Sequence, residues 1–229
     1  MKILAIDTVT EMCSAALLID GEIHFREELA PQQHTRLILR MIDELIAESG
    51  IQFSDLDAIG FSRGPASFTG LRICASVTQG LALAHDLPVI PISSLAILGQ
   101  GALRLDQQTR VMACIDARKD EVYCACFEES AGIMQAIGEE QVESPTRVTT
   151  PMDINWHGVG SGFLTYADEL NDNSSVNVTT TVAERYPLAR DILPIAQSLL
   201  NEQKTVDASL ALPVYLRDNI AKPPKAKGV

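Results

Sequence analysis

Three apolar runs broken by short polar turns open the chain: MKILAID, CSAALLID and EIHFREEL. Runs of this length read as strands, and Asp20-Gly21 is a hairpin signal between the second and third. The first run is apolar on both faces, with Ile3 and Ala5 on one and Leu4 and Ile6 on the other, which marks a central strand. Then the period changes. HTRLILRMIDELIAESG spaces its apolar residues as a helix does and stops at Gly50, a C-terminal capping residue. The alternation continues with the strand LDAIGFS, a helix launched after Gly64-Pro65, the strand LPVIPIS and the helix LAILGQGALRL.

The opening pattern then restarts. TRVMACIDARKDEVYCACF sets a strand, an Asp, a polar turn and a second strand, as ILAIDTVTEMCSAALL does. Ile115-Asp116 falls on Ile6-Asp7, and Cys124-Ala125-Cys126-Phe127 on Ala15-Ala16-Leu17-Leu18. The repeat predicts a duplicated α/β architecture with a cleft between its copies. The second copy reads as abbreviated: a strand at INWHGVGS, a short helix near Phe163 to Leu170, and a longer helix from Leu188 to Asn201. The expected division is an N-terminal lobe over 1–105, a C-terminal lobe over 106–217, and a basic, flexible tail over 218–229.

Two helices carry more apolar surface than one core needs. In the first, Leu37, Ile38, Leu39, Met41, Ile42, Leu45 and Ile46 cover an arc of about 200°, twice what faces a single core. In the second, Arg72, Ser76, Gln79 and Asp86 share one polar stripe of about 80°, and nearly all else is apolar or small. A soluble monomer rarely leaves such a patch in water. Either this lobe's own sheet and third helix cover it, or it is a helix-bundle interface. The interface reading selects Leu37, Ile38, Met41, Ile42 and Leu45 on the first helix, with Ile73, Cys74, Val77, Leu81 and Ala84 on the second.

Four motifs together, ILAIDT, GPASFTGLRI, IDARKDEVY and PVYLRDN, resemble the TsaB (YeaZ) family over nearly the whole chain. Position 66 is alanine where that family usually has glycine. The resemblance implies duplicated actin-like ATPase (ribonuclease H-like) lobes, each a mixed sheet with flanking helices. It also implies work in tRNA modification, with a TsaD-like paralogue and a TsaE-like ATPase. Together these place a threonylcarbamoyl group on N6 of the adenosine next to the anticodon, with the chemistry in the paralogue. The resemblance further implies that the two apolar helices pair with that paralogue and, without it, form a homodimer.

Charge sharpens the picture. The net charge of −12 opposes direct grip on a polyanion, so tRNA contact is expected only through the complex. The exception is the tail, where Lys222, Lys225 and Lys227 follow a Pro pair. Five cysteines without a CxxC pair read as reduced core thiols of a cytoplasmic protein, and no run is long enough to span a membrane.

Candidate chemistry is thin. In the actin-like superfamily the first hairpin runs roughly Asp-x-Gly-Thr, whose glycine lets backbone approach a phosphate. Here it reads Asp7-Thr8-Val9-Thr10, and the second hairpin, Asp116 to Glu121, also lacks glycine. Asp7, Thr8 and Thr10 therefore mark a degenerate nucleotide site. Either they hold a hydrated magnesium, with ATP or ADP entering only in the complex, or they close the turn. An ATP-dependent kinase or ATPase acting alone is the alternative function. His24, His34, His85 and His157 offer no pair at metal-ligand spacing. His34 reads as a capping or surface group. Ser67 and Thr69 read as caps of a helix start, not as nucleophiles.

Overall fold

A computed structural model describes residues 1–151 and 154–217; the predicted tail over 218–229 lies outside the described residues. The first repeat comprises β1 (Lys2–Asp7), β2 (Met12–Ile19), β3 (Glu22–Leu29), α1 (His34–Ser49), β4 (Ala58–Gly64), α2 (Phe68–His85), β5 (Val89–Ser93) and α3 (Ser94–Asp106). The second comprises β6 (Arg110–Arg118), β7 (Glu121–Ser130), β8 (Ile133–Glu143), β9 (Trp156–Val159), α4 (Gly162–Thr165), α5 (Ala167–Asp172), β10 (Val178–Val182) and α6 (Ala189–Asn201).

Each repeat builds a five-stranded sheet, and the two strand orders are the same. The first is β3-β2-β1-β4-β5 and the second β8-β7-β6-β9-β10. In both, the first three strands are antiparallel and the last two run parallel to the first. The second copy is thus complete in strands and abbreviated only in helices: among the described residues no α-helix joins β8 to β9, and two short ones lie between β9 and β10.

Pairing registers correct the predicted superposition by one residue. Ile6 faces Ala15 and Ile115 faces Tyr123, so Tyr123, not Cys124, takes the place of Ala15. The second hairpin is one residue tighter. Its bulge between Asp116 and Arg118 absorbs the difference.

Both faces of each sheet are covered, as the doubly apolar β1 requires. Leu4, Ile6 and Leu17 pack under α1 and α2, while Ile3, Ala5, Ala16 and Leu18 pack under α6. In the second sheet Val111, Ala113, Ile115 and Phe127 meet Leu95, Leu98 and Ala102 of α3, and Met112, Cys114, Cys124 and Cys126 meet Trp156 and Phe163. The helices are therefore exchanged in the main. The helix ending the first repeat covers the second sheet while its Ile97 still packs on the first, and the helix ending the second repeat covers the first. A half-buried bidentate pair joins them: Arg104 Nε and Nη2 donate to the buried Asp191 carboxylate at 2.6 and 2.9 Å. Ser14 of β2 accepts from Ala189 N at 2.9 Å and so caps α6 from the opposite repeat.

All five cysteines are free and buried. Burial pushes the thiols of Cys13, Cys124 and Cys126 up to about 12, so they stay protonated. No helix among the described residues is long and apolar enough to cross a membrane.

Candidate functional site

The two hairpins face each other across a cleft of about 590 Å³. Thr10, Ser67, Phe68, Arg118, Lys119 and Ser161 are among its walls. Both hairpins close the same way. Asp7 Oδ1 accepts from Val9 N at 3.1 Å, and Asp116 Oδ1 accepts from Arg118 N at 2.7 Å. These are Asx turns, in which a short carboxylate reaches its own backbone two residues on. The predicted equivalence of Asp7 and Asp116 is thus also a geometric one.

The surroundings of the two aspartates differ. Asp7 is fully buried, and its Oδ2 has no partner. Burial pushes its carboxyl up to about 7, held down in part by the Val9 N–H and the nearby Ser62 hydroxyl. Asp116 lies at the cleft wall, where its N–H donates to Ser161 Oγ at 3.1 Å and Oδ2 accepts from Thr165 Oγ1 at 3.4 Å.

Of the three residues predicted for a degenerate nucleotide site, only Thr10 lines the cleft. Asp7 and Thr8 lie beneath the first turn of α2, where Thr8 Oγ1 donates to Gly70 O at 2.9 Å. A side chain at Gly70 would collide with Thr8 O and come within 2.9 Å of Val9 Cα. The helix is seated directly on the hairpin. A phosphate needs free, converging amides and room to approach them, and the residues present do not fit it here.

Nor does the cleft contain an activated nucleophile. Ser67 occupies the N-cap of α2 but makes no side-chain cap bond, and Thr69 is already helical, so neither hydroxyl caps as predicted. His34 is buried at the start of α1 without a capping bond. His85, at the far end of α2, stacks on Phe53 with ring centroids 4.9 Å apart. His157 accepts or donates a 2.6 Å bond with Thr180 Oγ1 and sits 3.9 Å from Asp106. Among the described residues no three His, Cys, Asp or Glu side chains converge as a metal would require.

The apolar helices resolve into two roles. Leu37, Ile38, Met41, Ile42 and Leu45 of α1 are at most 4 % exposed and belong to the core under the first sheet. Cys74 of α2 is also fully buried, its thiol donating to Ile6 O at 3.3 Å. These six residues offer no surface, because α1, α2 and the segment carrying Ala208 and Ala211 bury them on this face of the sheet. Their wide apolar arc is spent on the sheet and on each other.

The remaining four predicted residues do reach the surface. Ile73, Val77 and Leu81 are half-buried and Ala84 is exposed, all on the outer side of α2. Ser76, Gly80 and Leu83 join them in the open, and a side chain at Gly80 would meet nothing within 4 Å. Leu39 of α1, Leu210 and Leu212 add exposed apolar groups. The last two belong to a segment after α6 that the sequence pattern left unassigned.

The combination of two duplicated sheets, exchanged covering helices and facing hairpins is the actin-like ATPase type of fold, here with a hairpin that seats a helix. The sequence model of the family described as "TsaD: tRNA N6-adenosine threonylcarbamoyltransferase" matches residues 26–225. Within that class the likeness is narrower. The chain is 42% identical over 225 residues to the "tRNA threonylcarbamoyladenosine biosynthesis protein TsaB" of Escherichia coli, covering 96% of each chain. The protein of the same name from Haemophilus influenzae is 39% identical over 96% of this chain and 95% of its own. The solved structure of YeaZ from Pseudomonas aeruginosa superposes with a TM-score of 0.88 at 42% identity, over 94% of this chain and 99% of that one. The chain belongs to the TsaB (YeaZ) family.

Proposed function

We propose that this chain serves threonylcarbamoyladenosine formation in tRNA as a non-catalytic subunit. It docks a TsaD-like paralogue through the outer face of α2, and the paralogue performs the transfer. The observation that carries this reading is the strip of Ile73, Ser76, Val77, Gly80 and Ala84, small or apolar residues that the chain's own lobe leaves exposed or only half-buried. With no side chain at Gly80, another helix can approach closely along this strip. The names of the curated relatives support the pathway.

In the same reading a TsaE-like ATPase joins the assembly, and the free chain pairs with itself through this strip in the cytoplasm. The net charge of −12 leaves the grip on tRNA to the other subunits. An ATPase acting alone finds less support, because hairpin groups that would face a phosphate are engaged with α2. Any ATP or ADP belongs to the complex.

Val77→Asp tests the reading. The variant is expected to keep its circular dichroism and to lose both self-association on size-exclusion chromatography and capture by the tagged paralogue. Normal capture by a folded Val77→Asp chain overturns the docking face. Phosphate release from ATP by the isolated wild-type chain, abolished by Asp7→Ala, would favour the enzyme instead.

A further inference from the structure

We infer that residues 204–217 form a clasp across the mouth of the cleft, with Arg217 as its hook, which ties the first turn of α2 to the second hairpin. The clasp does not depend on what docks on α2.

Its course makes the case. Leaving α6, the segment pairs Val206 with Val89 through two backbone bonds of 2.9 Å, closing the outer edge of β5. It then lies along α2, where Gln79 Nε2 donates to Ser209 O at 3.2 Å. Val214 N donates to Arg63 O at 2.8 Å, beside the turn that launches α2. The Tyr215 ring meets that of Phe68, the first residue of α2, at 5.6 Å between centroids. Every one of these contacts is to the first repeat.

Two residues later the allegiance changes. Arg217 Nη2 donates to Arg118 O at 3.2 Å and to the Glu121 carboxylate, both in the second hairpin. Its side chain is 19 % exposed and that of Glu121 35 %, so this ion pair is partly shielded from solvent. Tyr215 and Arg217 both line the cleft.

The hairpin it grips needs holding. Arg118, Lys119 and Asp120 are three consecutive non-glycine residues with φ of 62, 59 and 59°. L-residues adopt that region at a cost, and usually singly. Arg217 binds the carbonyl of the first of the three and the carboxylate just after the last. Away from the cleft the helices α3 and α6, joined by Arg104 and Asp191, hold the repeats together. A two-lobed body fastened by one pair of helices opens or closes according to its weaker contacts elsewhere, and here those include the hook and the Arg63–Glu140 ion pair that joins β4 to β8 at 3.3 Å.

The test uses the full chain and four forms: wild type, Arg217→Ala, Glu121→Ala, and the double exchange Arg217→Glu with Glu121→Arg. Hydrogen exchange is read at the amides of residues 118–122 and 67–71. Cleft opening is read as a spin-label distance between Asp43→Cys and Glu169→Cys, with labelled chain diluted into unlabelled. Both label sites are exposed and the native thiols are buried. Each single variant is expected to raise exchange about tenfold in both segments, the loss of one charge-assisted contact, and to lengthen or broaden the distance distribution. The double exchange is expected to bring both back toward wild type. Unchanged exchange and distance in the singles overturn the clasp. A rise confined to the hairpin overturns the tie to α2. Failure of the double exchange to restore a loosened cleft overturns Arg217–Glu121 as the hook.

Discussion

Asp7→Asn should flatten a steep pH dependence of stability. Asp7 is fully buried, one of its oxygens has no partner, and its pKa is raised from 3.8 to about 7, chiefly by burial. Because the folded value lies above the unfolded one, folding favours the protonated carboxyl. The stability it contributes is full below pH 3.8, is lost as pH rises from there to about 7, and changes little beyond. A shift of about 3 units at about 1.36 kcal/mol each makes the loss roughly 4 kcal/mol. Asparagine keeps an oxygen for Val9 N–H and cannot ionise. Urea unfolding of both forms at pH 4.5, 5.5, 6.5 and 8 gives the difference between them. Any fixed offset from the amide cancels, and the difference should move in favour of asparagine by roughly 1 kcal/mol per pH unit until about pH 7. A difference that stays constant across this range would show that Asp7 is ionised throughout, and would remove the account of the hairpin as a seat that excludes solvent.

Two further variants separate packing from docking. Arg104→Ala leaves the Asp191 carboxylate, 2 % exposed, without its partner between the exchanged helices. The expected cost is about 3–5 kcal/mol in chemical denaturation, against less than about 1 kcal/mol for Arg40→Ala in the solvated network on α1. Gly80→Ala adds a methyl where nothing stands within 4 Å and should stabilise the isolated chain by about 0.5–1 kcal/mol. The same methyl stands in the path of a closely packed helix, so thermal stability should rise while self-association and capture by the paralogue weaken. A parallel rise in both would place the docking face elsewhere.

What the sequence pattern reveals is mostly what is local. The three opening strands, α1 with its Gly50 cap, β4, β5 and the second hairpin all lie where alternation and turn residues put them. β8 and β10 escape detection although β3 and β5, which are also edge strands, do not. β8 is mostly half-exposed or exposed, and Gly138 at φ 86° interrupts it. β10 is VTTTV, with its three threonines exposed. Neither offers the apolar alternation that marks a strand against a core. The exchange of α3 and α6 is invisible for another reason. A helical period reports that an apolar face exists, not which sheet receives it. That same gap makes α1 read as an interface, because its period does not show that the first sheet, α2 and the segment after α6 take up the whole arc.

At Gly70 the two halves of the site become alternatives. The missing Cβ lets the first turn of α2 rest on Thr8 and Val9, and the Thr8 hydroxyl is spent on the Gly70 carbonyl. A hairpin that cradles phosphate needs that hydroxyl, those amides and that space for the ligand. Val9 is only 1 % exposed, so its β-branched side chain completes the packing under the helix where a glycine would have left backbone accessible. The residues that make the hairpin poor at holding a nucleotide are thus the ones that hold α2 firm. A firm helix can present Ile73, Val77 and Ala84 at fixed spacing to another chain. In the proposed docking, poor phosphate binding and a rigid docking helix follow from the same packing, and Gly70→Ala, which forces α2 and the hairpin apart, should weaken docking and stability together.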